Sequence, residues 1–253
     1  MRRFWLEPQN WDQEQLQVSG ELFHHLIDVC RFEVGDKFEL LSTGQAVFVE
    51  ILSVDKRHAQ LRRLEVRQIG QMPKPHIHLA LSVPRFAKVD WIVEKSVELG
   101  IHEIHPFVSD HSFVRDPAQV PAAKVARWRK LVQQASQQSG RGELMGVAQT
   151  TTLQALLTQV NQKPKTLCLF PFEGECELTL KQRLKGLKPT DFEEIWVFVG
   201  SEGGFSRAEV ESFKVAQIAP VSLGAQVLRV ETACLALASI LKYEFEVVEH
   251  GSI

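Results

Sequence analysis

Two glycine-rich segments in the last third of the chain, which we call the glycine crossings, predict one kind of fold. Residues 199–206 read V-G-S-E-G-G-F-S, and residues 223–233 read L-G-A-Q-V-L-R-V-E-T-A. Each leaves an apolar run and enters a predicted helix, and glycine lets the backbone take positive φ or approach a ligand closely. We expect both to be loops at the strand ends of one α/β sheet, where open α/β folds bind their ligands. This edge of the sheet is therefore the candidate active site.

Hydrophobic periodicity changes near residue 70 and divides the chain into two predicted domains. Residues 1–70 hold a predicted helix over 19–31 and then short runs with a period of two, as in a meander or small barrel. Two prolines and the loss of periodicity predict a linker over 71–75. From 76 to 253 strands and helices alternate, which favours an α/β domain with a mostly parallel sheet.

Two local signals support the predicted α/β domain. Ile195–Val199 is a continuous apolar run, typical of a strand that is covered on both faces. Ser206 and Glu209 have the spacing of a capping box that begins a helix. The whole pattern predicts strands over 77–83, 101–108, 166–170, 195–199 and 221–223, and helices over 87–99, 121–139, 152–160 and 231–245.

The composition is that of an ordinary globular protein, with 44% hydrophobic residues, 24% charged residues and a net charge of −2. No apolar run approaches the roughly 18 residues of a membrane span, and the amino terminus lacks the apolar core of a signal peptide. We therefore expect a cytoplasmic protein with no membrane partner. Residues 71–145 carry 10 Lys or Arg and 7 Asp or Glu, an excess too small to predict nucleic-acid binding by itself.

The cysteines and histidines do not predict a metal centre. None of the four cysteines forms a C-x-x-C pair, so buried free thiols are expected. His76 with His78, and His102 with His105, could be metal ligands, but no matching acidic or cysteine spacing accompanies them. We therefore expect histidines that belong to strands, and no metal.

Three charged residues in the crossings are candidates for chemistry. Glu202 stands inside a glycine turn and so needs a partner. A carboxylate in the first turn of a helix, such as Glu231, is stabilised by the helix dipole, whereas a cation there, such as Arg229, is not. Arg229 is therefore expected to contact a phosphate, a carboxylate or a developing negative charge. The glycine spacing matches neither a dinucleotide-binding fold nor a P-loop.

Ordered motifs in the second half of the chain extend this pattern. Lys95–Ile101 reads K-S-V-E-L-G-I, and Gln138 is followed three residues later by Arg141. These motifs and the two crossings resemble K-x-x-E-L-G-V, E-Q-x-x-R, G-P-E-G-G-F-S and L-G-x-R-I-L-R-x-E-T-A of the RsmE-type ribosomal RNA methyltransferases, which belong to the SPOUT superfamily. Ser201 stands where that family has proline, and His111 where it usually has arginine.

Members of this family methylate uridine at ring N3 in small-subunit ribosomal RNA, and the resemblance implies their architecture. It implies an α/β fold: a C-terminal SPOUT-type domain with a trefoil knot, preceded by a small PUA-like β-barrel domain that binds RNA. It also implies a homodimer, S-adenosylmethionine bound in the knot, and 16S ribosomal RNA or the small ribosomal subunit as partner.

The resemblance and the residue chemistry together suggest the site residues. Arg229 would stabilise the anionic uracil, and Glu231 or Glu202 would orient that cation or take the N3 proton. The expected cofactor-binding residues are Phe170, Pro171, Gly200, Glu202, Gly203, Gly204, Leu223, Gly224, Val227, Leu228 and Thr232. The expected RNA-binding residues are Arg85, Lys88, Arg127 and Arg141.

Two other functions fit the same residues. One is a SPOUT methyltransferase that acts on another RNA or another atom, and the other is a non-catalytic RNA-binding factor for ribosome assembly that keeps the knot. Basic residues of the family are missing at positions 111, 143 and 226, which leaves the RNA surface less well matched than the cofactor site. The intact Arg229, Glu231 and Thr232 favour catalysis over an assembly factor.

Overall fold

The chain forms two compact units in a computed structural model that describes residues 2–6 and 14–245. The first unit contains the described residues up to 71 together with residues 133–144. The second contains residues 72–132 and the described residues from 145 onward. The predicted first domain begins at residue 1 and the predicted second domain ends at residue 253. Residue 1 and residues 246–253 lie outside the described residues.

The first unit is built on a five-stranded sheet. Its elements are β1 (Arg3–Trp5), β2 (Gln15–Ser19), α1 (Gly20–His24), which continues into a π-helical turn (His25–Val29), β3 (Lys37–Ser42), β4 (Gln45–Val54) and β5 (His58–Gln68). The strand order is β1-β3-β4-β5-β2, in which β1 is parallel to β3 and the other neighbours are antiparallel. The predicted helix and the period-two strands of this region are therefore confirmed.

Alternating apolar residues of these strands form the core of the first unit. Phe38 on β3, Val49 on β4 and Leu61 on β5 are fully buried, and Phe32 stacks on Phe38 with ring centroids 5.2 Å apart. Burial of one such side chain is worth about 1.5–3 kcal/mol. The pairing of β4 with β5 shifts register twice, and irregularities of this kind bend a strand.

The second unit is an α/β structure with a parallel sheet. Its strands are β6 (His76–Ser82), β7 (Glu103–Val108), β8 (Gly146–Val147), β9 (Thr151–Thr152), β10 (Thr166–Pro171), β11 (Leu178–Thr179), β12 (Glu194–Val199) and β13 (Pro220–Ser222). Its helices are α2 (Phe86–Glu98), α3 (Ala122–Ser139), whose residues from 133 belong to the first unit, α4 (Leu153–Asn161), α5 (Leu180–Leu184), α6 (Arg207–Val215) and α7 (Val230–Phe245), with 3₁₀ turns at Pro117–Gln119 and Pro189–Asp191.

The strand order of this sheet determines which loops become neighbours. The order is β11-β13-β10-β12-β6-β7-β8, every pair is parallel, and β9 also pairs with β7. Because the strands are parallel, β10, β12 and β13 end at one edge, so the segments after Pro171, Val199 and Ser222 meet there. The predicted α/β class and parallel sheet are confirmed, and the knot stays a prediction.

The central strand β12 is covered on both faces, as the apolar run Ile195–Val199 predicts. All five residues of that run are buried. Beside it, Phe170 stacks on Phe213 of α6, with ring centroids 4.0 Å apart. The predicted capping box of α6 is also present, since Ser206 and Glu209 each accept a hydrogen bond from the other's backbone N–H. No helix within the described residues is long and apolar enough to cross a membrane.

Candidate active site

A cleft lies at the sheet edge where the two glycine crossings were expected. Its lining comes from the ends of β10 and β12, from the loop after β13 and from the start of α7. About 670 Å³ of empty space lies within it, the solvent-facing part included. The lining residues are Pro171, Phe172, Glu173, Val199, Gly200, Ser201, Gly204, Phe205, Leu223, Gly224, Ala225, Gln226, Val227, Leu228, Val230 and Ala233.

Glycine is required at two positions of this lining. Gly204 has φ of +64° and Gly224 has φ of +125°, which is backbone that L side chains rarely adopt. A Cβ at Gly204 would also overlap the carboxylate of Glu173. At these two positions no side chain of its own covers the backbone that faces the cleft. Gly203 differs, because it lacks positive φ and a Cβ there would lie 2.9 Å from the Cβ of His111.

The loop after β12 is held by the loop after β7. The Ser201 hydroxyl donates to the carbonyl of His111 over 2.7 Å, and the Nδ1 of His111 lies 2.8 Å from the carbonyl oxygen of Gly203. Glu209 accepts from the backbone N–H of Asp110 over 2.9 Å. Ser201 is 6% exposed, so its hydroxyl takes a structural role at the position where the family motif has proline.

A lysine lies between the two candidate glutamates. The Nζ of Lys88, in the first turn of α2, is 3.4 Å from Oε1 of Glu202 and 3.1 Å from Oε2 of Glu231. A cation at the amino-terminal end of a helix is unfavourable, and the two carboxylates offset that cost. Glu202 therefore has the partner that its sequence position required. The spacing of the motifs could not assign Lys88 to it.

The environment of Glu231 favours its ionised form. The backbone N–H of Glu231 itself, at the start of α7, lowers the pKa of its carboxyl, and the ammonium of Lys88 and the guanidinium of Arg229 lower it further. This is the local field of a helix amino terminus acting on an acid. Glu231 is therefore an anion at neutral pH and a weaker base than an ordinary glutamate.

Arg229 is exposed at the mouth of the cleft. Its neighbours Leu228 and Val230 both line the cleft, and its carbonyl accepts from the N–H of Ala233 over 2.8 Å, which begins α7. Within 2–6 and 14–245, its side chain has no hydrogen-bond partner and no ion pair within 4 Å, although its charge acts on the carboxylate of Glu231. The guanidinium can therefore receive an anion from solution.

The structure gathers most, but not all, of the expected cofactor residues. Pro171, Gly200, Gly204, Leu223, Gly224, Val227 and Leu228 line the cleft. Phe170 is fully buried behind it and packs on Phe205 and Phe213. Glu202 and Gly203 face Lys88 and His111 respectively, and Thr232 is exposed on α7. Cofactor binding stays a prediction for all of these residues.

Sequence reasoning missed part of the lining. Phe172 and Glu173 follow β10 directly, and Ala225 and Gln226 fill the second crossing. The signal that could have found the first two is their position, because they extend the segment that Phe170 and Pro171 begin. Ala225 and Gln226 differ from the family motif, so the resemblance gives no signal for them.

The expected RNA-binding residues are not equally available. Arg85 is exposed immediately before α2, and the Nε of Arg127 donates to Asp90 over 2.8 Å. Lys88 is held by the two glutamates. Arg141, in the first unit, is only 8% exposed and lies 3.5 Å from Glu143. We therefore leave Arg141 out of the proposed RNA surface.

Comparison with known proteins agrees with this geometry. A family model described as an RNA methyltransferase domain matches residues 71–242, and one described as an RNA methyltransferase PUA domain matches residues 18–62. The "Ribosomal RNA small subunit methyltransferase E" of Bacillus subtilis is 28% identical and covers 98% of both chains. The protein of the same name from Helicobacter pylori J99 is 32% identical over 89% of this chain and 93% of its own.

A solved structure is similar over the same length. It is the ribosomal RNA small subunit methyltransferase E of Neisseria gonorrhoeae bound to S-adenosyl methionine, with a TM-score of 0.83 and 25% identity over 97% of this chain and 98% of that one. The match over 71–242 covers more than half of the present chain and contains the whole cleft with Lys88, Glu202, Arg229 and Glu231. The chain therefore belongs to the RNA methyltransferase family.

Proposed function

We propose that this protein transfers the methyl group of S-adenosylmethionine to N3 of a uridine in 16S ribosomal RNA. The observation that carries the proposal is a cleft lined by glycine backbone, with the exposed cation Arg229 at its mouth and the Lys88–Glu202–Glu231 cluster nearby. The names of the relatives support ribosomal RNA of the small subunit as substrate. The solved relative with bound S-adenosyl methionine supports the cofactor.

The cleft residues fit such a cofactor. Gly204 and Gly224 offer backbone without side chains, and Val199, Leu223 and Leu228 offer apolar walls. A cleft of this composition suits a ligand with both a polar and a flat apolar part. When bound, the cofactor supplies a methyl group on a sulfonium, so the protein needs to align donor and acceptor rather than form a covalent intermediate.

The charged residues would prepare the uracil. Its N3 carries a proton at neutral pH, and transfer requires the lone pair that remains when the proton leaves. Arg229 would stabilise the resulting anion. Because the pKa of Glu231 is lowered, we assign Glu231 to orienting Arg229 and Glu202 to accepting the proton. Lys88 would hold both carboxylates in position.

RNA would be recruited by basic residues and by the first domain. We assign that domain to residues 1–70, the linker to 71–75 and the methyltransferase domain to 76–253. Arg85 and Arg127 are exposed on the second unit and could contact phosphates, contacts that position RNA without reading its sequence. We place the protein in the cytoplasm, where its substrate would be.

The protein would act as a homodimer built on the knotted domain. Ile240 and Tyr243, three residues apart on α7, are 42% and 87% exposed. Residues at this spacing share a helix face, and exposed apolar faces often mark protein interfaces. Sedimentation at micromolar concentration should give twice the 28.7 kDa monomer mass; a monomer mass would contradict the dimer.

Mass spectrometry of nucleosides tests the activity. Small ribosomal subunits from cells that lack the gene would be incubated with purified protein and isotopically labelled S-adenosylmethionine. We expect labelled 3-methyluridine in the digested 16S RNA. A label on another base or on a ribose would instead support a methyltransferase of different specificity. RNA binding without any label would favour the assembly factor.

A further inference from the structure

A cluster of histidine and glutamate side chains lies at the opposite end of the strands from the cleft. His78 is near the start of β6, and Glu103 and His105 are near the start of β7. In the parallel pairing His78 is opposite Glu103, and His105 is two residues further along, so Glu103 and His105 project from the same face. His78 is 4% exposed and His105 5%.

The three side chains bring their ligand atoms within bonding reach of one point. Nδ1 of His78 and Nε2 of His105 are 3.0 Å apart, and Oε2 of Glu103 is 3.3 Å from Nε2 of His105 and 3.9 Å from Nδ1 of His78. A circle through atoms with these separations has a radius of about 2.0 Å, and zinc binds histidine nitrogen and carboxylate oxygen at about 2.0–2.2 Å. An ion close to the plane of the three atoms would therefore lie at a zinc–ligand distance from all of them, in place of the hydrogen bond between the two histidines.

The surroundings prepare His78 to be a ligand. Its ring is almost fully buried, and its Nδ1 faces Nε2 of His105. Its other nitrogen, Nε2, is buried without a hydrogen-bond partner among the described residues and lies 3.8 Å from Oε2 of Glu194. Metal-bound histidines typically direct their second nitrogen at a carboxylate.

Neighbouring residues fix the carboxylate of Glu194 and leave room for that of Glu103. Lys163 and the Nε1 of Trp196 donate to Glu194 over 2.8 and 2.7 Å, and the ring of His78 stacks on Trp196 with centroids 4.7 Å apart. On the other side, a Cβ at Gly146 would lie 2.7 Å from the Cγ of Glu103. Glycine at 146 thus gives the Glu103 side chain room over β8.

We propose that His78, Glu103 and His105 form a binding site for a divalent transition-metal ion, best matched by Zn²⁺, with water in a fourth position. Two imidazoles and one carboxylate are a ligand set that zinc accepts. The site is separate from the cleft, since β12 runs from Glu194 beside it to Val199 at the cleft, a span of about 17 Å at the usual strand rise. The ion would cross-link β6 to β7.

Zinc titration of the full-length, untagged protein tests the site. After treatment with chelator and removal of the chelator, Zn²⁺ would be added while calorimetry and thermal unfolding are recorded. We expect one Zn²⁺ per chain and a rise in Tm, because an ion that binds only the folded state stabilises it. In Glu103→Gln the affinity should fall by at least about 10–100-fold, the loss usual even for outer partners of a ligand.

Two further variants complete the test. His105→Gln should lose Zn²⁺ binding as Glu103→Gln does. If the change at the buried His105 unfolds the protein, Glu103→Gln decides the test, because Glu103 is partly exposed. His76→Gln is the matched control, because His76 is on the same strand but outside the three ligands, and it should bind Zn²⁺ like the unaltered chain. Absence of stoichiometric Zn²⁺ binding, or binding that is equal in Glu103→Gln and the unaltered chain, would overturn the proposal.

Discussion

The ammonium nitrogen of Lys88 lies 3.1 Å from Oε2 of Glu231, although the two residues begin helices far apart in the chain. The same nitrogen lies 3.4 Å from Glu202 in the glycine loop. One cation therefore joins the first helix of the second unit, its last helix and the loop between β12 and α6. Its loss should disturb chemistry more than folding, since the three side chains are 22–39% exposed.

Lys88→Ala is expected to lower the rate of methyl transfer by about 10²-fold, the scale for losing one preorganised electrostatic contact. Affinity for S-adenosylmethionine should change little, because Lys88 does not line the cleft. The pKa of Glu231 should also rise, since Lys88 helps to lower it. Glu231 would then become protonated at higher pH than in the unaltered chain, so activity should be lost sooner as the pH falls.

Single-turnover transfer across a pH series measures both effects. Lys95→Ala is the matched control, because Lys95 is on the same helix and pairs with Glu94 and Glu98 instead. It should keep the rate and the pH profile of the unaltered protein. Equal rates in Lys88→Ala and Lys95→Ala would remove Lys88 from the mechanism.

Gly204→Ala is expected to weaken the binding of S-adenosylmethionine. Alanine would be strained at the positive φ of this position, and its Cβ would displace the carboxylate of Glu173, which lines the cleft. Calorimetry measures the affinity. The control is Gly186→Ala, which has the same backbone strain at φ of +82° but open space around the Cβ and no place in the cleft. If both variants bind cofactor equally, the backbone at 204 does not contact it.

Ser201→Ala is expected to lower the free energy of unfolding by about 0.5–1.5 kcal/mol, the usual net contribution of one intramolecular hydrogen bond. The bond concerned is the one that the Ser201 hydroxyl donates to the carbonyl of His111. Chemical denaturation measures the change. Ser212→Ala removes an exposed hydroxyl that only bonds its own helix and should have a smaller effect. Equal losses would mean that Ser201 does not hold the two loops together.

Much of the fold could be predicted because its signals are local. The apolar run Ile195–Val199 and the capping box at Ser206 and Glu209 specify a strand and a helix start without reference to the rest of the chain. The two-residue strands β8, β9 and β11 carry no such periodic signal and were missed. That residues 133–144 belong to the first unit depends on packing, which the sequence does not display.

The site was predictable only where its residues are close in sequence. The glycine crossings identified the cleft. The role of Lys88 depends on β6 lying next to β12, which brings α2 toward Glu202, so the sequence and the family resemblance suggested only RNA contact for it. The histidine cluster was rejected for want of an acidic ligand at suitable spacing, yet strand register brings Glu103 of β7 beside His78 of β6.

Chelation should separate the two proposed sites. We expect S-adenosylmethionine to bind equally well with and without chelator, because the cleft residues need no metal for a sulfonium ligand. Thermal unfolding should nevertheless occur at lower temperature with chelator than with added Zn²⁺, since the ion would cross-link β6 and β7. Calorimetry and a thermal scan on one preparation measure the two quantities. Loss of cofactor affinity on chelation would contradict their independence.

Arg229→Ala tests the proposed stabilisation of the uracil anion. Arg229 is exposed and has no ion-pair partner in the described part of the chain, and it stands at the amino-terminal end of α7, where the helix dipole disfavours a cation. If it stabilises negative charge that develops during transfer, its removal should lower the rate at saturating cofactor by about 10²–10³-fold. Cofactor affinity should remain within a few-fold of the unaltered protein.

The alternative role for Arg229 predicts the opposite effects on transfer rate and cofactor affinity. An arginine that only holds the carboxylate of the cofactor would, when removed, weaken cofactor binding but leave the rate at saturation intact. Arg229→Lys sharpens the comparison, because lysine keeps the charge but loses the planar fork of the guanidinium. Arg207→Ala, an exposed arginine at the start of α6, is the control for general loss of surface charge. A normal single-turnover rate for Arg229→Ala on small-subunit RNA would end its assignment to catalysis.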